Sequence, residues 1–163
     1  MLVQLFVIYY GLPQFEWIQQ SVLWPFLREP FYCAILSFTL AAGAYGAEIL
    51  RGGIQGVDRG LLEAGSALGL SVRHRFTHIT APIALRLSLP AFSNEVISLL
   101  KATALASTVT LLDMTGVART IVAKTFAPYE IFISAAIIYL ILTWFIQKGF
   151  GLLEARMSRY VRK

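Results

Sequence analysis

Four apolar stretches divide the chain: Leu2 to Leu12, Phe31 to Leu50, Ile83 to Leu112 and Ile131 to Leu153. A helix that crosses the hydrocarbon core of a bilayer needs about 20 mostly apolar residues. The last three stretches reach that length, although polar positions mark the third. The first is only about half a span. The pattern predicts an all-α, polytopic membrane protein with three full transmembrane helices and a partial first one. The short opening stretch lacks the basic start and the small-residue cleavage site of a signal peptide. It reads as the outer half of a helix whose beginning is missing, so the expectation is an N-terminally incomplete chain. With no fixed-period repeat and no low-complexity segment, residues 1–163 read as a single transmembrane domain.

Composition agrees. The chain is 57% hydrophobic and 14% charged, against about 25% charged residues in soluble domains. Charge adds an orientation. Ten of the 14 Lys and Arg fall in two regions. Arg51, Arg59, Arg73 and Arg75 lie between the second and third stretches with Arg86 just inside the third, and Lys148 near the end of the fourth is followed by Arg156, Arg159, Arg162 and Lys163. Basic residues stay on the cytoplasmic side. The 51–82 loop and the C-terminus are therefore expected inside, and the 13–30 and 113–130 loops outside. The same residues give no strong case for nucleic acid. Cys33 has no partner for an internal disulfide and reads as a small core residue.

The region 13–30 carries Pro13, Pro25 and Pro30 with Trp17, Trp24, Phe15 and Phe26. That mixture suits a membrane interface, as a short interfacial helix or a loop with aromatic anchors. The second stretch is rich in small residues, from Ala41 to Ala47, which let helices approach closely in lipid. Glu48 and Arg51 close it. Gly52, Gly53, Gly56 and Gly60 are expected to loosen the chain into the following loop. There a short helix is predicted over 61–68, ended by Gly69. A second is predicted over 71–79, before Pro82.

The third stretch is the most polar span. At about 100° per residue, Asn94, Ser98, Lys101, Leu105 and Thr108 form one stripe, with Glu95 at its edge. Ionisable residues inside a membrane are costly and face a cavity or a partner. Two readings stand: a lining for a translocation path, or a structural Glu95–Lys101 or interhelical salt bridge.

Several chemistries find no residues. A P-loop for ATP is missing, as is a Cys/His set with structural-zinc spacing and a Gly-x-Ser-x-Gly nucleophile turn. His74 and His78 are four apart, but Arg75 follows His74 where a metalloprotease helix has glutamate. No catalytic residue and no metal ligand is assigned.

The loop is the specific feature. Glu63-Ala64-Gly65, Gly69, Ile79 and Pro82 resemble the signature Glu-Ala-Ala, three residues, Gly, nine residues, Ile-x-Leu-Pro. That signature belongs to permease subunits of bacterial ATP-binding-cassette importers. The spacing matches throughout; Gly65 replaces an alanine and Ala81 a leucine. Further stretches are similar to the polar amino-acid branch of that family: Val3 to Phe6 with Tyr9 to Pro13, Ala44 to Ile54, Leu89 to Ile97, and Lys101 to Leu105. Glu95 after Asn94 resembles the histidine, lysine/arginine/ornithine and opine sub-branch. Where the family has Lys-Asp-Thr-Ser-Leu, this chain reads Lys101-Ala102-Thr103-Ala104-Leu105.

The resemblance implies a type I importer permease fold and a place in the cell inner membrane. It implies that Glu63, Ala64, Gly65, Gly69, Arg73, Ile79 and Pro82 form the element that couples to an ATPase, with Arg75 offering a further charged contact. Asn94, Glu95, Ser98 and Lys101 would line the substrate path. The implied partners are cytoplasmic ATP-binding subunits holding ATP and Mg, a second permease subunit, identical or not, and an extracytoplasmic substrate-binding protein. The chain itself would hold no cofactor and hydrolyse nothing. The rival readings are an ion-coupled transporter or channel using Glu95 and Lys101, and a membrane scaffold that recruits a partner through 51–82.

Overall fold

The structure, a computed structural model, describes residues 1–22 and 24–158; the predicted inside charges Arg159, Arg162 and Lys163 lie outside the described residues. Every regular element among them is helical. Three helical stretches are long and apolar enough to cross a membrane: Pro30–Gln55, Val72–Val109 and Pro128–Met157. The three predicted full spans are thus present, each longer than its apolar core. The chain divides into two compact units, Met1–Gly43 with Ile97–Trp144, and Ala44–Val96 with the chain from Phe145.

In the first unit the opening stretch is helical throughout. Helix α1 (Leu2–Phe6) widens into a π-turn (Val7–Gly11) and tightens into a 3₁₀ turn (Leu12–Gln14). Leu5 is buried with Ala34 and Val109, and Tyr9, Phe38 and Leu111 pack around them. This is close side-chain packing, the force that joins helices when lipid is as apolar as leucine. The aromatic 13–30 region forms two short helices, α2 (Glu16–Gln19) and α3 (Trp24–Leu27), with Trp17 and Phe26 exposed. Cys33 is fully buried near the start of α4 (Pro30–Gln55), its Sγ 3.2 Å from the Leu27 carbonyl oxygen.

The polar stripe does not extend as predicted. Thr103–Val109 is a 3₁₀ helix, which turns 120° per residue, so Leu105 and Thr108 leave the line of Asn94, Ser98 and Lys101. Thr110 ends it with φ 65°. The 113–130 region, expected as a loop, holds α8 (Met114–Thr125). Asp113 caps it, its carboxylate accepting from the Gly116 and Thr115 amides at 2.9 and 3.2 Å.

In the second unit the glycines after Arg51 correct the expectation of a loosened chain. Helix α4 runs on to Gln55. Gly53 is buried, and a Cβ there would overlap the Ser88 hydroxyl and lie 2.7 Å from the Ala84 carbonyl oxygen. A Cβ on Gly56 would meet Leu87 Cδ1 at 3.1 Å. These glycines bring α4 and α7 (Ala81–Ala102) together, and the Ser88 hydroxyl donates across to the Ile49 carbonyl at 3.3 Å. Glu48 and Arg51 pair one turn apart on the exposed face, with Arg51 Nε donating to Glu48 Oε2 at 3.0 Å. The final helix, α9 (Pro128–Ser158), which runs from the first unit into the second, buries none of its apolar window among the described residues. A helix apolar on all sides and unburied is a lipid-facing or partner-facing span.

Candidate coupling elbow and transmembrane polar residues

Between α4 and the next long helix the chain makes a compact elbow. Asp58 caps α5 (Arg59–Ala67), accepting from the Gly60 amide at 2.8 Å. The helix ends where predicted. Gly69 adopts φ 76°, the Leu70 amide donates to the Gly65 carbonyl at 3.1 Å, and the Gly69 amide donates to the Ser66 carbonyl at 3.0 Å. That pair of bonds is a Schellman motif, which turns the chain sharply at a residue without a side chain.

Ser71 then caps α6 (Val72–Arg75), its Oγ accepting from the His74 amide at 3.4 Å. The predicted second helix does not stop before Pro82. It widens into a π-turn (Phe76–Thr80) and continues as α7, so one helical run spans Val72–Val109. Proline clashes with the carbonyl four residues earlier in a regular helix. Here the turn just before Pro82 is wide, with the Ala81 amide bonded to the Phe76 carbonyl five residues back. The loop proper is therefore 56–71, narrower than the predicted 51–82.

The signature residues separate into two sets. Glu63, Ala64, Gly69 and Arg73 are exposed. Gly65 is buried, and Ile79 and Pro82 are half-buried. A Cβ on Gly65 would lie 3.0 Å from Ile79 Cδ1 and 3.4 Å from Arg75 Cγ and Cδ. Gly65 thus sits in close contact with both side chains, at the place where the family pattern has alanine. Arg75, expected as an outward contact, turns inward. Its Nη1 donates to Ser66 Oγ and to the Leu62 carbonyl at 3.4 Å. The elbow's outer surface carries Leu61, Leu68, Leu70, Val72 and Phe76, all exposed. Leu61 and Ala64 on α5 and Leu68 at its C-cap recur at helical spacing and make one apolar row. His74 and His78 stack with ring centroids 5.6 Å apart, and both are exposed.

On α7, Asn94 and Ser98 are exposed, as is Lys101 near its end. Glu95 is half-buried, and its Oε1 is buried without a hydrogen-bond partner. In the first unit an apolar hollow is lined by Leu12, Phe26, Tyr32 and Leu36.

The family model for the binding-protein-dependent transport system inner membrane component matches residues 1–159. The chain is 45% identical over 163 residues to the nopaline transport system permease protein NocM of Agrobacterium fabrum, covering 99% of this chain and 68% of that protein. It is 44% identical to the octopine transport system permease protein OccM of Rhizobium meliloti, over 94% of this chain and 63% of that one. The histidine/lysine/arginine/ornithine transport system permease protein HisM of Escherichia coli K12 is 40% identical, with 98% and 68% covered. The chain thus spans about two thirds of the length of these relatives. A crystal structure of an amino acid ABC transporter with histidines superposes with TM-score 0.82 at 35% identity, over 95% of this chain and 68% of that one. The chain belongs to the family of inner membrane components of binding-protein-dependent transport systems, as a multi-pass transport subunit of its amino-acid and opine permease branch.

Proposed function

We propose that this chain forms half of the translocation path of an ATP-driven importer for cationic amino acids or opines, and that α5 docks on a cytoplasmic ATPase. The observation that carries the reading is the elbow. Its exposed row of Leu61, Ala64 and Leu68 runs along a short capped helix and onto its C-cap residue. Apolar residues gathered on one exposed face call for a partner surface, and Glu63 and Arg73 flank the row with charge. A helix seated in a groove and carried at the root of a membrane helix converts a push into a rigid-body rotation. The elbow, with Arg51, Arg59, Arg73 and Arg75 in and beside it, and the basic C-terminus then lie on the cytoplasmic side, the placement that the positive-inside tendency favours. ATP and Mg reside on the partner, a second permease subunit completes the path, and a substrate-binding protein delivers from outside.

Glu95 supports the substrate class. A carboxylate oxygen buried without a partner is costly until a donor or a cation reaches it. The permeases named for nopaline, octopine and histidine/lysine/arginine/ornithine transport favour a nitrogen-rich, cationic cargo. Asn94, Ser98 and Lys101 supply polar groups along the same helix.

Two measurements test the reading. A photo-crosslinker at Leu68 should capture a nucleotide-hydrolysing protein from the assembled complex, and failure to capture one removes the docking claim. Glu95→Gln should lower uptake of arginine or lysine while leaving the ATPase bound. Unchanged uptake and substrate preference in that variant would remove Glu95 from the path.

A further inference from the structure

We infer that Arg75 is a positioning residue that ties α5 to the root of α7, so that a load on the elbow turns the membrane helix instead of flexing the turn between them. The inference rests on the docking role of α5 and adds the part that transmits it.

Along the backbone, α5 reaches α6 only through the turn at Leu68–Ser71, which pivots on Gly69. Glycine is the most permissive pivot the chain has. A second path crosses the pivot through side chains. Arg75 is the last residue of α6, in the helical run that continues into the span. Its guanidinium reaches back nine residues to Ser66 Oγ and thirteen to the Leu62 carbonyl, both on α5. Ser66 Oγ donates in turn to that same carbonyl at 2.9 Å. The stem of Arg75 lies against Gly65, and Ile79 presses on the same glycine from the next turn. Arg75 Nε is buried without a partner, which places the stem inside the joint and off the surface. One guanidinium nitrogen serves both acceptors, and the planar group fixes its donors more rigidly than the rotatable ammonium of a lysine would.

The test uses the assembled transporter, with its ATPase and binding protein, reconstituted in liposomes. The readout is substrate moved per ATP hydrolysed. Arg75→Ala should retain the ATPase and its basal hydrolysis, while transport per ATP falls about tenfold, the scale of one charge-assisted hydrogen bond. Ser66→Ala, a mild change on an exposed helix face, should move the ratio in the same direction. Arg75→Lys should recover part of it. The Ser66→Ala/Arg75→Ala double variant should be no worse than Arg75→Ala alone, because both break one tie. If Arg75→Ala does not assemble, Ser66→Ala and Arg75→Lys carry the test. An unchanged ratio in the variants that assemble overturns the inference. So does loss of the ATPase from an otherwise intact Arg75→Ala subunit, which would make Arg75 a docking contact. If the unmodified chain never retains an ATPase, the docking role itself fails, and the tie fails with it.

Discussion

Gly53 and Ser88 lie flush: a Cβ on the glycine would overlap the serine hydroxyl, which instead donates to the Ile49 carbonyl one turn earlier on α4. The Ala84 carbonyl oxygen, one turn earlier on α7, would lie 2.7 Å from that Cβ, so the helices would have to separate to admit a side chain. Gly53→Ala should therefore cost about 1–3 kcal/mol, as overpacking does. Its neighbour gives the contrast. Nothing lies within 4 Å of a Cβ at Gly52, and Gly52→Ala should gain up to about 1 kcal/mol from helix propensity alone. Thermal unfolding of the detergent-solubilised chain measures both. Equal shifts would show that the contact at Gly53 does not hold the helices.

Gly65 and Ile79 should behave as a coupled pair. Gly65→Ala brings a Cβ to 3.0 Å from Ile79 Cδ1, the far end of a flexible side chain. The strain is partly offset by about 1 kcal/mol of helix propensity. Ile79→Val removes that terminal methyl. The double variant should be more stable than the sum of the single variants by about 0.5 kcal/mol or more, read from melting temperatures. Simple additivity would mean the two residues do not touch.

Gly69 sets the pivot of the elbow. With φ 76°, an alanine there costs about 1–2 kcal/mol, whereas asparagine tolerates that backbone better. Gly69→Ala should lower uptake more than Gly69→Asn does. The opposite order in a transport assay would contradict the geometry.

Asp113 accepts from two amides at the start of α8. Asp113→Ala should cost about 1 kcal/mol, and Asp113→Asn, which keeps a capping oxygen, should cost much less. Hydrogen exchange at the Thr115 and Gly116 amides reads the difference directly.

Cys33 is fully buried, so a maleimide should leave the native chain unlabelled until it is unfolded. Against that silent background Glu63→Cys should label from the cytoplasmic side only. Labelling from the periplasmic side would invert the topology and the docking proposal.

The spans were legible because length and hydropathy suffice to define them. The Gly69 turn was legible because a left-handed cap needs glycine at one place relative to the helix end. What failed to read through were residues whose role is decided far along the chain. Gly52, Gly53 and Gly56 look like breakers locally, but Ala84, Leu87 and Ser88, some thirty residues later, make Gly53 and Gly56 packing surfaces. Arg75 looked like a surface cation because its acceptors are Ser66 and the Leu62 carbonyl, across a turn. Pro82 looked like a stop, and a widened turn carries the helix past it. Asp113 carried a capping signal that could have been read, since the amides it binds lie two and three residues on.

The widened turn at Phe76–Thr80 also sets phase. One residue more than a regular turn rotates what precedes it by about 100° relative to an unbroken α-helix. Deleting a single residue between 76 and 80 would turn the whole elbow, Arg75 and Ser66 together, by that angle relative to α7. At this point the chain is more sensitive to its count of residues than to their identity.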